Sequence, residues 1–133
     1  MKIAITGATG QLGKLIIEAL LKEIDASDII ALVRDENKAK DLENKGIELR
    51  PFDYDLPETL VPALKGVDKL LLISANEVGR RTPQHKAVVD AAIEAQVPYI
   101  AYTSLLRANT NLLALAKEHR ETESLIQQSG LQY

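Results

Sequence analysis

Glycines stand at positions 7, 10 and 13 in the run Thr6-Gly7-Ala8-Thr9-Gly10-Gln11-Leu12-Gly13, directly after the apolar stretch Ile3-Ala4-Ile5 and directly before a segment of helical periodicity. Strand, glycine turn, helix is the context that gives such spacing chemical meaning. A glycine turn lets the backbone pass close to a pyrophosphate, whose charge is stabilised by the free amides and positive dipole end of a helix opening near Gln11. The third glycine lets that helix pack closely on its strand. A tight turn by itself needs one glycine, not three so spaced. No Gly-Lys-Ser/Thr follows, so the run is not a nucleoside triphosphate loop. It predicts a dinucleotide site.

Which dinucleotide is decided at the end of the second strand, where an acidic side chain pairs with the ribose hydroxyls of NAD and an arginine accommodates the NADP phosphate. Here Val33 is followed by Arg34. NADP(H) is therefore favoured over NAD(H), although Asp35 and Glu36 come next and would serve NAD if the strand ran one residue further; Arg34 as an ordinary solvated charge is the other reading. Asp53, after the third strand, is placed to accept from the adenine amine or to cap the following turn.

These residues need a frame that brings strand ends together. Apolar runs at Ile3 to Ile5, Ile29 to Val33, Ile47 to Phe52, Lys69 to Ser74 and Val97 to Ser104 read as strands. Helical stretches lie between them at Gln11 to Glu23, Glu36 to Lys45, Pro57 to Leu64 and Thr82 to Gln96, with a last one at Leu112 to Gln128. Strict alternation implies right-handed crossovers. The expected fold is α/β: one domain, residues 1–133, with a Rossmann-type doubly wound parallel sheet of about five strands in the order 3-2-1-4-5 and helices on both faces. Leu131-Gln132-Tyr133 reads as the start of a sixth strand, which makes the chain a fragment by expectation. It would leave the fifth strand as an exposed edge open to self-association.

The remaining composition narrows the classes of function. The 133 residues carry a formal charge of −3, with cations scattered among acids, so no nucleic-acid footprint is present. With no cysteine and two histidines, a disulfide framework is excluded and a zinc site is hard to assemble. No apolar run approaches the ~20 residues that span a bilayer, and the short N-terminal strand leaves no room for a signal peptide. No membrane association and a cytoplasmic location are the expectations.

The motifs also carry a resemblance. Ala4 to Gly13, Leu32-Val33-Arg34, Leu70 to Ser74, Glu77-Val78-Gly79, Pro83-Gln84-His85, Ile100 to Leu106 and Glu118-His119 with Glu121-Thr122-Glu123 are the stretches concerned. On them the chain resembles the NmrA-like atypical short-chain dehydrogenases, and within these the bacterial NAD(P)H:quinone oxidoreductases of type 2. The likeness runs the whole length of the chain, while family members continue for about as many residues again, which implies that this is the cofactor-binding half. Residue by residue, the resemblance places Gly7, Gly10, Gln11 and Leu12 at the pyrophosphate, with Thr9 in the same loop. It places Arg34 at the 2′-phosphate and Ser74, Ala75, Asn76 and Glu77 along the nicotinamide ribose.

The typical tyrosine and lysine of short-chain dehydrogenases, one helical turn apart, are not found. If Glu123 matches the glutamate that usually follows the lysine, the pair falls on Leu115 and His119. Leucine transfers no proton, so ordinary ketone reduction is disfavoured. A quinone accepts hydride readily and leaves a weakly basic phenolate, so it needs positioning more than acid strength. Ser104, His119 and Tyr102 are the candidates for contacting such an acceptor. His119 also lies on the apolar stripe of its helix and reads more readily as a hydrogen-bonded core residue, and Tyr102 as a residue packed within the sheet. His85, near a helix start, reads as a surface or capping residue. The expected function is hydride transfer from NADPH to a quinone, with a redox-sensing regulator that binds NADP without turnover as the alternative.

Overall fold

A computed structural model describes residues 1–73, 81–103 and 114–133. Five parallel strands form one sheet in the order β3-β2-β1-β4-β5. They are β1 (Ile3–Ile5), β2 (Ile29–Val33), β3 (Glu48–Pro51), β4 (Lys69–Leu72) and β5 (Tyr99–Tyr102). The helices between and after them are α1 (Gln11–Leu20), α2 (Lys40–Asn44), α3 (Leu60–Leu64), α4 (Arg81–Glu94) and α5 (Ala114–Gln128). All five residues of β2 are buried, as its unbroken apolar run requires of a strand covered on both faces.

Period-two alternation along the strands separates two cores. Ala4, Ile30, Leu32, Leu70, Leu72 and Ile100 face one way, against Leu60 and Leu64 of α3, Val88 and Ala92 of α4 and Ile126 of α5. Ile5, Ile29, Ala31 and Val33 face the other, against Ile17 of α1 and Leu42 of α2. Full burial of each valine, leucine or isoleucine among them contributes about 1.5–3 kcal/mol, so both faces are needed to offset the chain entropy lost on folding. Because every strand is parallel, all five C-terminal ends reach one rim of the sheet, and functional loops must gather there.

Local chemistry shifts several boundaries from the expected ones. The stretch Glu36 to Lys45 forms a 3-10 turn, Glu36–Ala39, before α2 begins, because Asp35 accepts from the Asn37 amide at 2.9 Å and tightens the entry. A 3-10 turn at Ala26–Asp28 precedes β2. At the end of the chain, Ile100 N donates to Gln132 O at 2.8 Å and Gln132 N to Pro98 O at 3.2 Å. Gln132 thus pairs in parallel with Tyr99, and the outer edge of β5 is covered at that end. Among the described residues no helix is long and apolar enough to cross a membrane.

Arg50 of β3 ties the sheet to α3. Its guanidinium donates to the carbonyls of Ala63 at 2.9 Å and Lys65 at 2.8 Å, closing the C-terminal end of that helix, and it also contacts the Glu48 carboxylate. Arg50→Ala removes these charge-assisted bonds and the packing of the aliphatic stem; it is expected to lower stability by about 1–2 kcal/mol, read as a shift in the urea midpoint. Glu48→Ala, which spares the helix carbonyls, is expected to cost less than half as much.

Candidate functional site

At the C-terminal rim the loop after β1 turns sharply. Gly7 adopts φ +61°, and Gly10 N donates to Gly7 O at 3.0 Å. Lys14 N then bonds Gly10 O at 3.0 Å, so α1 begins at Gln11. Its N-cap is Gly10, which brings no side-chain acceptor, and its first turn holds no acidic residue. The leading amides and the positive end of the helix are thereby left for an anion.

Packing explains the third glycine. A Cβ on Gly13 would come within 2.2 Å of Gly7 O and 2.9 Å of Ala8 Cα, so no side chain fits where helix meets loop. Thr6, 1% exposed, closes β1; its hydroxyl accepts from Ile73 N at 2.9 Å and joins the ends of β1 and β4.

The loop floors a cavity of about 650 Å³. Gly7, Thr9, Gly10, Gln11, Leu12 and Gly13 form one wall, Leu32, Val33, Arg34, Asp35 and Lys38 a second, and Phe52 and Tyr54 with Ile73 and Gln84 the rest. The first of these walls offers main-chain amides to an anion and the second offers two cations. The expected loop residues and Arg34 therefore share one cleft.

Lys38 and Tyr54 join them without having been singled out in the sequence, and Gln84 joins them from the Pro83-Gln84-His85 stretch. The signal for Lys38 was a second cation four residues beyond Arg34; Tyr54 carried none beyond following the third strand. Burial pushes the Tyr54 phenol pKa up, while the Thr6 hydroxyl and the Arg34 charge pull it down by less. The phenol is thus a neutral hydrogen-bonding group at neutral pH.

Asp53 does not line the cleft. Its Oδ1 accepts from Asp55 N at 2.9 Å, which is the turn-capping geometry. Asp35 lines the cleft, but its carboxylate is engaged by Asn37 N.

Ser74, Ala75, Asn76, Glu77 and Ser104 lie outside the described residues. His119 is 7% exposed, and its Nδ1 is hydrogen-bonded to the Tyr102 hydroxyl at the end of β5. His85 is fully buried, contrary to its reading as a surface or capping residue. The packing of α4 against α5 turns it inward, where Nδ1 meets Thr122 Oγ1 at 2.8 Å and its ring stands edge-on to Tyr102, with centroids 5.4 Å apart. Tyr102 therefore packs between two histidines on the helix-covered face.

Comparisons with known proteins agree on the family and the fold. A family model described as NAD(P)H-binding matches residues 7–133. Quinone oxidoreductase 2 of Escherichia coli is 55% identical over 131 residues, covering 98% of this chain and 46% of that protein. An NmrA-like family domain-containing oxidoreductase of Aspergillus flavus is 36% identical over 140 residues, covering 100% of this chain and 46% of its own. The NADPH complex of the Escherichia coli NADPH-dependent quinone oxidoreductase superposes with a TM-score of 0.94 over 97% of this chain and 46% of that one. The NADP(H) complex of Citrobacter sp. triphenylmethane reductase, 43% identical, gives 0.95 over 98% and 47%. The chain spans about half the length of the curated relatives it matches. Built around the glycine loop that the family model covers almost from its start, this chain belongs to the NAD(P)H-binding family.

Proposed function

We propose that this chain is the NADPH-binding half of an oxidoreductase that passes hydride to a quinone. The observation that carries the choice of cofactor is the second wall of the cleft: Arg34 and Lys38 both line it, against the single carboxylate of Asp35, whose Oδ1 accepts from Asn37 N. Two cations suit a 2′-phosphate, and they outweigh the one acid beside them. The glycine cradle fits the pyrophosphate, because no side chain caps the amides opening α1 and no acid stands in its first turn.

When bound, the nicotinamide supplies the hydride chemistry. The chain's own residues bind and orient. The amides opening α1 hold the pyrophosphate, Arg34 and Lys38 take the 2′-phosphate, and Leu32, Val33 and Phe52 give the adenosine end an apolar, water-poor wall. Ser74 to Glu77 serve the nicotinamide ribose, and Ser104 and His119 contact the acceptor, the latter held in place by Tyr102. Identity of 55% to a quinone oxidoreductase supports the acceptor class, and the absence of an acid at Leu115 is tolerable for a quinone. The site is cytoplasmic in this reading, and the uncovered part of the β5 edge is where copies would associate.

Calorimetric titration with NADPH and NADH in parallel tests the cofactor assignment. Arg34→Ala is expected to weaken NADPH about 10- to 100-fold, the worth of charge-assisted bonds to phosphate, and to leave NADH unchanged. Equal affinity of the parent chain for the two cofactors would overturn the 2′-phosphate assignment.

A further inference from the structure

The base end of the cleft lacks the acid that the sequence offered for it. Asp53 does not line the cleft, and its Oδ1 accepts from Asp55 N at 2.9 Å. An adenine taken out of water still needs partners for its amine and ring nitrogens. The wall that holds the aromatic rings of Phe52 and Tyr54 also holds Gln84, which reaches in from α4.

Gln84 is out of place for a glutamine. It is 7% exposed and stands at i, i+4 and i+8 with Val88 and Ala92, both fully buried, so it occupies the first position of an apolar stripe of α4. An amide buried there costs free energy unless it is hydrogen-bonded. A carboxamide has four hydrogen-bonding positions, so one can tie it to the fold while another serves a ligand. The main chain that carries it is held from behind: the next residue, His85, is fully buried, and its Nδ1 meets Thr122 Oγ1 of α5 at 2.8 Å. Gln84 Oε1 is shielded from water, and a half-turn about the broad terminal torsion exchanges it with Nε2.

Chemistry selects among the polar side chains of the cleft. Adenine shows a donor, its amine, beside an acceptor, a ring nitrogen, and a flat carboxamide answers both at once. Arg34 and Lys38 only donate. The Thr6 hydroxyl is tied to the Ile73 main chain, accepting from N at 2.9 Å and donating to O at 3.4 Å. Gln11 is exposed and opens α1 at the anion end.

We propose that Gln84 selects the base of the cofactor: its carboxamide oxygen accepts from the adenine amine and its nitrogen donates to the neighbouring ring nitrogen. The proposal rests on the dinucleotide reading above and is independent of the 2′-phosphate, because NADPH and NADH carry the same base.

The test is calorimetric titration of the chain with NADPH and with its reduced hypoxanthine analogue, in which an oxygen replaces the amine. The parent is expected to bind NADPH about 10- to 100-fold more tightly than the analogue, the range for one bidentate contact to a base. Gln84→Leu, which keeps the bulk and removes both polar atoms, is expected to bring the two ligands within about twofold of each other by weakening NADPH. Gln84→Glu keeps an acceptor for the amine and opposes the oxygen of the analogue, so it is expected to retain the preference at lower affinity for both. A parent that binds the two ligands alike would overturn the proposal. So would equal weakening of both by Gln84→Leu, the mark of a merely structural amide, or loss of the preference in Gln84→Glu, which decides the matter if the leucine variant does not fold. A parent that binds neither ligand would overturn the dinucleotide reading itself.

Discussion

Gly13→Ala is expected to abolish measurable dinucleotide binding and to lower stability by about 3 kcal/mol, the upper range for forcing a carbon into a packed site. The new Cβ would stand 2.2 Å from Gly7 O, 2.9 Å from Ala8 Cα and 3.0 Å from Ala8 C. All three are main-chain atoms, so no rotamer change relieves the clash. Either the start of α1 lifts off the sheet or the loop reopens, and both movements displace the amides that face the anion. Gly10→Ala is the control: its Cβ meets the same Gly7 O at 3.3 Å, a contact that a shift of a few tenths of an ångström relieves. Thermal unfolding is the measurement, with a drop on the order of 10 °C expected for Gly13→Ala and much less for Gly10→Ala. A Gly13→Ala protein that melts with the parent and binds NADPH would show that the close approach is not what the loop requires.

His85→Ala is the second large effect, and it acts in the core where α4 packs on α5. The imidazole is fully buried between α4, α5 and β5, and its removal leaves a cavity beside Tyr102 while taking a partner from Thr122, itself 0% exposed. Lost packing and a weakened buried hydrogen bond together are expected to cost about 3 kcal/mol. Thr122→Val removes the bond but keeps the volume, and about 1 kcal/mol is expected from it. Because the two residues share one bond, the double variant His85→Ala/Thr122→Val is expected to cost less than the sum of the singles. Urea unfolding of the four proteins gives the coupling directly; strict additivity would remove the bond from the account.

Much of this frame was readable in the chain, and the reasons are specific. Ile29 to Val33 is apolar without a break, so it had to be an interior strand, and the alternation of such runs with helical stretches fixed the order of the sheet. Glycines 7, 10 and 13 marked the cleft because backbone contact restricts residue type more tightly than side-chain contact does. The stretch from Glu36 to Lys45 was less legible: periodicity reads one helix, but Ala39 sits at φ −109°, ψ 15° and divides it. That break follows from the Asp35 cap, a side-chain to backbone bond that no periodicity records.

Side-chain roles set by distant packing were the least legible. His85 reads as polar and near a helix start, and only the approach of α5, 37 residues away at Thr122, turns it into a core residue. Tyr54 likewise joins the cleft only because the ends of β1, β2 and β3 come together at one rim. Asp53 offered two roles, and the local one, bonding the amide two residues ahead, is the geometry present.

The Asp35 cap bears on how cofactor preference could be re-engineered. Exchanging Arg34 for a neutral residue would discard one phosphate partner but leave Lys38 in the cleft and Asp35 Oδ1 turned toward Asn37 N at 2.9 Å. Preference is therefore carried by the turn that presents these side chains as well as by one charge. A conversion to NADH by design has to address Lys38 and the orientation of Asp35 together with Arg34, which makes the whole turn the unit of exchange.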